Sequence, residues 1–492
     1  MSKILIEKLN DAYIKVHSDP DIQHELWEFF SFKVPDAWHS PLYRDRKWDG
    51  FIRLYNKRSK RLPAGLLRHV HIFAKERNHV IEGYQYLADN FALVDAQNLC
   101  SDLKIWSNGK LLEPHEHQLL GITKSLRYKR CILESATNSG KSYIIYAICR
   151  YLQQKNLRGL IIVPNVGLVE QLYNDFKEYS TVNKWDADGL VNKIYSGQEK
   201  YTGKPIVIST WQSVYDLDDE MWFKQFDYVI GDEAHHFQSK SLIKIMGQLV
   251  NAKYRIGTTG SVQDGNIPRL TLEGYFGPIV KIATNKEMIE KGISSDLTIK
   301  CLVLKYPEKE CRLVIPTDYY EELEFLVQHQ KRNNFIKNLA LSLKGNTLIL
   351  FQLVEKHGKL LYNLLKDSGR PIYFIYGYTD VEIRESYRKI IEKETNAIII
   401  ASYGVYQEGV SIRNIHSIIF ASPSKSKIRV LQSIGRGLRV SETKSEAILF
   451  DIADDLRTGG DTNYTLLHYV ERMKLYQREQ FKVKVYNINL GG

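Results

Sequence analysis

Cysteine and long apolar runs are both scarce in this sequence. Five cysteines among 492 residues, scattered and without a C-x-x-C pair, argue against a disulfide framework and a zinc site and for a reducing compartment. The longest apolar stretch, residues 346–354, is far shorter than the roughly 18 residues that a membrane span needs. The first residues carry charges inside their only apolar run, which is not the pattern of a signal peptide. We therefore expect a cytoplasmic protein with no membrane association.

Acidic residues are the minority among the charged ones. Lys and Arg number 68 against 57 Asp and Glu, which gives a net charge of +11. A surplus of this size favours a polyanionic partner only modestly, because many enzymes carry it as solvated surface. The apolar fraction of 43% and the charged fraction of 25% are ordinary for a folded protein. At about 150 residues per domain, the length predicts roughly three domains.

The pattern of apolar and polar residues in the N-terminal region differs from that in the rest of the chain. Residues 1–112 mix short alternating runs with two helical patterns, and they predict a small α+β domain that binds nucleic acid. Within it we predict strands over 4–9 and 12–17 and helices after Pro20 and Pro63.

From residue 113 onward, short apolar runs alternate with amphipathic helices. This alternation is typical of βαβ units with a buried parallel sheet. It covers residues 113–290 and returns over 336–492, with a predicted connector over 291–335. We therefore expect two α/β domains in tandem, with a C-terminal amphipathic helix over 464–486 packed on the second. The predicted strands are 131–134, 159–163, 206–209, 228–231 and 254–257 in the first domain and 347–351, 372–376, 397–401, 417–421 and 447–451 in the second.

Residues 135–142 (SATNSGKS) lie between a predicted strand and a predicted helix, which is the setting of a phosphate-binding loop. Backbone N–H groups of such a loop cradle the phosphates of a nucleotide. Lys141 would place its ammonium on the β- and γ-phosphates, and the Ser142 hydroxyl would be a ligand of Mg²⁺. Ser135 replaces the usual first glycine, and Asn138 stands where many such loops have glycine, although asparagine tolerates the left-handed backbone. The candidate ATP-binding residues of this loop are Ser135, Ala136, Thr137, Asn138, Ser139, Gly140, Lys141 and Ser142.

A second motif ends a predicted strand in paired acids, Asp232 and Glu233. Asp232 follows Lys141 by 91 residues, and an acid at a strand's carboxyl end holds Mg²⁺ in P-loop NTPases. We assign that role to Asp232, and we assign to Glu233 the orientation or deprotonation of the attacking water. Two acids can also merely cap a following helix, but their combination with the phosphate loop favours ATP hydrolysis.

Arginines recur at helical spacing late in the chain. Gln432, Arg436 and Arg439 fall about one helical turn apart in succession, on one face. Because they follow a P-loop domain, we predict arginine fingers that reach the γ-phosphate across an interdomain cleft. Hydrolysis would then depend on closure of that cleft.

These motifs resemble those of superfamily 2 helicases over roughly residues 113–455. Gln118 precedes the phosphate loop as the adenine-side glutamine does in that family, and the Asp232 motif is similar to motif II of the DEAH type. Ser411 departs from the family pattern, since many relatives have Asp there. The resemblance implies two RecA-like domains with ATP between them and a nucleic-acid strand that is contacted mostly through its phosphates. The remaining motifs, Ia, Ib, III, V and VI, resemble residues 164–171, 209–212, 258–261, 401–411 and 432–439.

The chain as a whole resembles the UvsW-type recombination helicases of bacteriophages. This resemblance extends into the N-terminal region, through residues 47–50 (KWDG), 52–54 and 62–66. It implies an enzyme that remodels branched DNA by migrating Holliday junctions, regressing forks and unwinding D- and R-loops in recombination, repair and replication. It also implies the host cytoplasm as the place of action.

Positive charge is concentrated in residues 44–77, which we call the basic segment. It holds eleven Lys and Arg against three acids, with Trp48, Phe51 and Tyr55 interleaved. Cations with aromatic side chains suit phosphate tracking and base stacking, whereas the alternative is a solvated basic hairpin whose aromatic rings face the core. The candidate DNA-binding residues are Arg44, Arg46, Lys47, Trp48, Arg53, Lys57, Arg58, Lys60 and Arg61, and outside the segment Thr210, Trp211, Lys425 and Lys427.

The sequence thus predicts an ATP- and Mg²⁺-dependent DNA helicase or translocase. We expect a monomeric motor that acts on branched or forked DNA and on RNA within RNA–DNA hybrids. An RNA helicase, a restriction-enzyme motor and an ATP-gated clamp that never separates strands remain alternatives. The predicted catalytic residues are Asp232, Glu233, Gln432, Arg436 and Arg439.

Overall fold

The computed structural model describes residues 2–34, 37–136, 138–260, 266–314, 318–408, 412, 414–423, 426, 430, 434, 446–458 and 462–491. The chain divides into two compact units, residues 1–135 with 140–282 and residues 136–139 with 283–492. No helix in the described part of the chain is both long and apolar enough to cross a membrane. All five cysteines are buried free thiols.

A small α+β domain begins the first unit. Its elements are β1 (Lys3–Lys8), β2 (Tyr13–His17), α1 (Pro20–Phe29), β3 (Ser31–Lys33), α2 (Pro41–Arg44), β4 (Phe51–Arg53), β5 (Arg61–Pro63), α3 (Leu67–Glu76) and β6 (Val80–Gly83). The sheet has the order β5-β2-β1-β6, with β1 antiparallel to β2 and parallel to β6. Ile4, Ile6, Ile14 and Val16 alternate with polar residues and fill its core, as period-two patterning requires.

The rest of the first unit is an α/β domain. After α4 (Leu93–Leu103) and the hairpin β7 (Trp106–Ser107) and β8 (Lys110–Leu111), its elements are α5 (Glu116–Tyr128), β9 (Arg130–Ser135), α6 (Lys141–Gln154), β10 (Gly159–Val163), α7 (Val166–Tyr179), α8 (Ala187–Leu190), β11 (Val191–Ile194), β12 (Ile206–Thr210), α9 (Trp211–Tyr215), α10 (Glu220–Lys224), β13 (Tyr228–Asp232), α11 (Lys240–Gln248), β14 (Tyr254–Thr259), α12 (Asn266–Tyr275) and β15 (Ile279–Ala283).

The sheet of this domain has the order β11-β12-β10-β13-β14-β9-β15. Its strands from β11 to β9 run parallel, and those of the middle are buried on both faces. The predicted runs of consecutive β-branched and aliphatic residues are therefore explained by burial on both sides. Each strand predicted in this domain is present.

The second unit is also built around a parallel sheet. Its elements are α13 (Asn285–Glu290), β16 (Asp296–Lys305), α14 (Glu308–Val314), α15 (Tyr319–Gln328), α16 (Gln330–Ser342), β17 (Asn346–Phe351), a π-helical turn (Val354–Gly358), α17 (Lys359–Leu365), β18 (Ile372–Ile375), α18 (Val381–Ile391), β19 (Ile398–Ser402), α19 (Tyr403–Glu408), β20 (Ile415–Phe420), β21 (Glu446–Asp455), α20 (Tyr464–Arg478) and β22 (Lys482–Asn489). The strand order is β18-β19-β17-β20-β21-β16-β22. Two tandem RecA-like α/β domains after a small N-terminal domain confirm the predicted fold class.

Two segments of the second unit differ from the prediction. The predicted connector, 291–335, contains β16, which lies inside the sheet between β21 and β22. The predicted C-terminal helix over 464–486 is wrong beyond Arg478, because residues 482–489 form β22. That stretch reads KVKVYNIN, whose alternation suits a strand, and its backbone pairs with β16 from Thr298 to Lys305.

The small domain is docked at one end of the parallel sheet of its own unit. The Asp11 N–H donates to the Val250 carbonyl at 2.9 Å, and the Arg130 guanidinium donates to the Asp11 carbonyl. The Tyr13 ring meets Tyr275 edge-on, with 6.5 Å between centroids. Since Arg130 is the first residue of β9, the docking lies at the amino ends of the strands.

A group that we call the Glu273 bracket ties the small domain to α12. The Glu273 carboxylate accepts hydrogen bonds from His69 Nε2 at 2.7 Å and from Arg269 Nε at 2.8 Å. Only 6% of this carboxylate side chain is exposed. Gly65 packs so closely on the Glu273 carbonyl that any side chain at 65 would collide with it. The bracket, His69 with Arg269 and Glu273, therefore fixes the small domain to the helix that follows β14.

Candidate active site and nucleic-acid interface

The phosphate loop joins the end of β9 to the start of α6. Asn138 has φ of +71° and Gly140 has φ of +76°, so left-handed backbone curls the loop at two points. Asn138 thus adopts the conformation for which asparagine is better suited than most residues. A side chain at Gly140 would collide with the amide of Gln118, so this glutamine lies against the loop. Ser135, Ala136 and Ser139 are buried.

Asp232 ends β13 and is held by its neighbours. Its Oδ1 accepts from the Thr258 hydroxyl at 2.6 Å and from the Glu233 backbone N–H at 3.0 Å. Thr258 lies directly beside it on β14, which brings the first residue of motif III to this acid. Burial raises the pKa of Asp232, and the adjacent Glu233 carboxylate raises that pKa further. Positive charge placed here would therefore stabilise the ionised acid.

Glu233 turns back toward the phosphate loop. Its backbone is left-handed, with φ of +51° and ψ of +54°. The Lys141 ammonium donates to Glu233 Oε1 at 3.4 Å, and His235 Nδ1 lies 3.3 Å from Glu233 Oε2. His235 Nδ1 also lies 3.0 Å from the Thr259 hydroxyl. The loop lysine, the second acid and the end of β14 thus form one cluster.

The Ser142 hydroxyl has a partner that the sequence did not reveal. It lies 2.9 Å from the hydroxyl of Tyr179, the last residue of α7. Tyr179 is 37 residues away and belongs to an amphipathic helix, where an aromatic residue indicates core packing. Only the tertiary structure brings the two hydroxyl groups together.

This cluster fits nucleotide phosphates and a magnesium ion. The Ser142 hydroxyl and the Asp232 carboxylate are hard oxygen donors of the kind that Mg²⁺ prefers. The raised pKa of Asp232 marks a place where a divalent cation would relieve burial of negative charge. The Lys141 ammonium and the N-terminus of α6 provide positive charge for phosphate oxygens.

Several predicted site residues lie outside the described residues, and their roles stay predictions. They are Thr137, Lys425, Lys427, Gln432, Arg436 and Arg439.

Thr210 and Trp211 mark the junction between β12 and α9. The Thr210 hydroxyl lies 2.8 Å from the hydroxyl of Ser213. Trp211 is half-buried against the apolar cluster beside the sheet, and its ring meets Tyr215 edge-on at 6.4 Å. Packing thus accounts for much of the Trp211 side chain, and DNA contact by these two residues stays a prediction.

Cations of the basic segment cover an exposed surface. Arg53 donates to Asp49 at 3.0 Å and lies 4.7 Å over the Trp27 ring, and Arg61 lies 4.0 Å over the Tyr13 ring. Lys60 is half-buried, with its backbone in the left-handed region. The exposed cations of the segment are Arg44, Arg46, Lys47, Arg53, Lys57, Arg58, Arg61, Arg68, Lys75 and Arg77.

Some aromatic side chains of the basic segment pack inside the protein and do not face solvent. Tyr55 is 1% exposed, and its hydroxyl donates to the Val16 carbonyl at 3.1 Å. The half-buried Trp48 donates its indole N–H to the Phe51 carbonyl at 2.8 Å. Trp38, which the sequence pattern did not single out, is instead 57% exposed. An exposed ring therefore lies a few residues before the cations, and base stacking by Trp48 stays a prediction.

Two protein-family models match this chain. One, described as "DNA helicase UvsW, N-terminal", matches residues 4–82, and the other, described as "Type III restriction enzyme, res subunit", matches residues 109–264. The first match covers the small domain, and the second covers the phosphate loop and the Asp232 motif.

Similar proteins and structures cover nearly the whole chain. The ATP-dependent DNA helicase uvsW of Enterobacteria phage T4 is 32% identical over 97% of this chain and 98% of its own length. The crystal structure of T4 UvsW is similar over 99% of this chain and 100% of that one, with 30% identity and a TM-score of 0.53. S. cerevisiae Dbp5 bound to RNA and ADP BeF3 is 12% identical over 82% of this chain and 95% of its own, with a TM-score of 0.56, and it shares the fold alone.

Proposed function

The chain belongs to the UvsW family of superfamily 2 helicases, and we propose that it uses ATP to remodel branched DNA in phage recombination and repair. Membership makes it an ATP-dependent helicase. The observation that carries the proposal is the cluster of Lys141, Asp232 and Glu233 beside the phosphate loop. This motor site lies in the same unit as the exposed basic segment.

Each residue of the nucleotide site has a proposed role. ATP supplies the phosphoryl group that is transferred, and Mg²⁺ would supply positive charge that neutralises the phosphate oxygens. Lys141 binds the phosphates, while Ser142 and Asp232 hold the metal ion. Glu233 takes a proton from the attacking water or orients that water. Gln118 lies against the loop at Gly140. It contacts the adenine of ATP, as its place in a DEAH-type enzyme implies.

The late arginine run completes the proposed chemistry. Arg436 and Arg439 stabilise charge on the transferred phosphoryl group, and Gln432 orders the γ-phosphate. Removing one such arginine finger typically lowers the rate about 10³-fold or more.

Branched or forked DNA is the proposed substrate, with RNA–DNA hybrids as a second one. The exposed cations of the basic segment support this proposal, because phosphate contacts dominate nucleic-acid affinity. We propose a monomeric motor in the cytoplasm of the phage host.

A stimulation panel tests the choice of substrate. ATP hydrolysis by the full chain is measured with single-stranded DNA, linear duplex, a four-way DNA junction and RNA at equal nucleotide concentration. We expect the junction to stimulate hydrolysis most and RNA least. Equal or greater stimulation by RNA would favour an RNA helicase and contradict the DNA proposal.

A strand-displacement assay on a forked duplex tests the mode of action. A helicase releases a labelled strand in proportion to ATP hydrolysed. A clamp would hydrolyse ATP on the same fork and release none, which would contradict remodelling.

A further inference from the structure

Tyr378 in the second unit is 95% exposed, which is unusual for a large aromatic side chain in a folded region. It lies in the loop of residues 376–380, between β18 and α18. Nothing in the nucleotide chemistry or in the basic segment accounts for a ring displayed here.

Hydrogen bonds hold the backbone of this loop. The Tyr376 N–H donates to the Thr379 hydroxyl at 3.1 Å, and the Thr379 N–H donates to the Tyr376 carbonyl at 2.9 Å. The Arg384 guanidinium donates to the carbonyls of Thr379 and Gly377, both at 2.7 Å. The loop is thus a tied turn, and its form presents the Tyr378 ring to solvent.

A row of aromatic rings supports the turn from inside. Phe351 lies 5.7 Å from Phe374, Phe374 lies 5.0 Å from Tyr376, and Tyr376 lies 6.4 Å from Tyr378. The inner rings are buried or half-buried, so Tyr378 is the outermost member of a packed row. The tied turn fixes the backbone that carries the ring, while the 95% exposed ring leaves its faces open to a stacking partner.

The position of the turn in the sheet favours a ligand contact. Tyr378 follows the carboxyl end of β18, the edge of a parallel sheet where ligands bind in open α/β folds. Arg384 brings a guanidinium to the same turn. An exposed ring on a turn that also carries a positive charge matches a nucleotide unit, which offers a base to stack and a phosphate that the charge attracts.

We propose that Tyr378 stacks on an unpaired base of the nucleic-acid strand bound by the second α/β domain. This inference rests on the proposed function and names unpaired bases as what this loop recognises. Stacking on a ring is tolerant of sequence, because every base has a π-face. Such a contact distinguishes single strands from duplexes, whose bases are already stacked.

The test uses a DNA single strand that contains the fluorescent base 2-aminopurine, with the full chain and no ATP. Wild type and Tyr378→Phe should quench the fluorescence on saturation, and Tyr378→Ala should not. Affinity of Tyr378→Ala for the single strand should fall by on the order of 10-fold, with duplex affinity unchanged. Tyr320→Ala is the matched control, since Tyr320 is 77% exposed on α15 and should behave as wild type.

Three outcomes would overturn the inference. They are full quenching by Tyr378→Ala, an equal loss of single-strand and duplex affinity, and failure of Tyr378→Phe to quench. The last result would assign the contact with DNA to the tyrosine hydroxyl and not to the ring. ATP hydrolysis without DNA reports that each variant is folded. If wild type bound and quenched the strand while DNA left its ATP hydrolysis unchanged, the proposed function would fail and the stacking contact would stand.

Discussion

Glu233 is held in a backbone conformation that few residues other than glycine adopt. Its φ is +51°, and a left-handed non-glycine residue costs about 1–3 kcal/mol and tends to occur at functional sites. Here the strain turns the carboxylate toward Lys141, 3.4 Å away. The turn thus brings the Glu233 carboxylate beside the phosphate-loop lysine, as its proposed role in activating water requires.

Substitutions at Lys141 and Glu233 should separate binding from hydrolysis. Lys141→Ala removes the loop's ammonium and should abolish both nucleotide binding and hydrolysis. Glu233→Gln keeps size and hydrogen bonding but cannot take a proton, so ATP should still bind while DNA-stimulated hydrolysis falls about 10²- to 10⁴-fold. Phosphate release and binding of a fluorescent ATP analogue measure the two effects.

Glu220→Gln is the matched control for that experiment. It makes the same chemical change at an exposed residue paired with Lys224 at 2.8 Å and should leave the rate at the wild-type level. Wild-type hydrolysis by Glu233→Gln would show that another group activates the water.

At the scale of single residues, the sequence predicts what local spacing determines. The order of the phosphate loop and the acids leads to Lys141 and Asp232, and the known tolerance of asparagine leads to the backbone of Asn138. The contact between Ser142 and Tyr179 was not predictable, because neither spacing nor periodicity relates residues that meet only in the folded chain.

Among the elements, the predicted helix over 464–486 shows why the end of a helix can be missed in a sequence. Residues after Arg478 continue the apolar pattern of α20, and no glycine or proline marks a stop. The turn is made instead by Gln480, whose φ is +57°. The alternation of KVKVYNIN suits a strand, but its partner β16 lies almost two hundred residues earlier, and nothing local in the sequence identifies that partner.

The Glu273 bracket should contribute measurably to folding stability. Glu273→Ala removes the acceptor for His69 and Arg269, and hydrogen bonds to a charged group contribute about 1.5–3 kcal/mol each. Because Arg269 is 58% exposed and solvent weakens its bond, we expect the free energy of unfolding of the first unit to fall by about 2–4 kcal/mol, measured by denaturant titration. Glu220→Ala, which breaks an exposed ion pair with Lys224 at 2.8 Å in the same unit, should change little, and an equal loss there would contradict the assignment.

Acid should weaken the same bracket. Burial acts to raise the pKa of Glu273, but hydrogen bonds from His69 and Arg269 outweigh it and leave that pKa below its ordinary 4.5. The stabilisation is therefore present above pH 4.5 and is lost as the pH falls through the lowered value. The stability difference between wild type and Glu273→Gln should shrink over that acid range, and a difference that grew would reverse the sign of the linkage.

For the whole molecule, the effect of the net charge of +11 on DNA binding depends on where the positive residues lie. Residues 44–77 alone hold a surplus of eight, and most of these cations are exposed. Each phosphate contact adds about 0.9 to the slope of log affinity against log salt concentration. Lys57→Ala with Arg58→Ala should therefore lower that slope by roughly two, measured by fluorescence anisotropy on a DNA junction.

Lys253→Ala with Lys305→Ala provides a charge-matched control for the salt experiment, with both cations outside the basic segment. Its slope should remain that of wild type. An equal fall of the slope in both double variants would mean that the net charge of the protein, and not the basic segment, determines the salt dependence of DNA binding.

The docking of the small domain also bears on how such a protein can change during evolution. The face that receives it is built from Gly247, Val250 and Glu273, which belong to the following α/β domain. A genetic exchange that replaced residues 1–112 alone would bring in a domain without the matching Tyr13, Gly65 and His69. The two domains of the first unit are therefore expected to stay functional together only when both sides of this interface change in step.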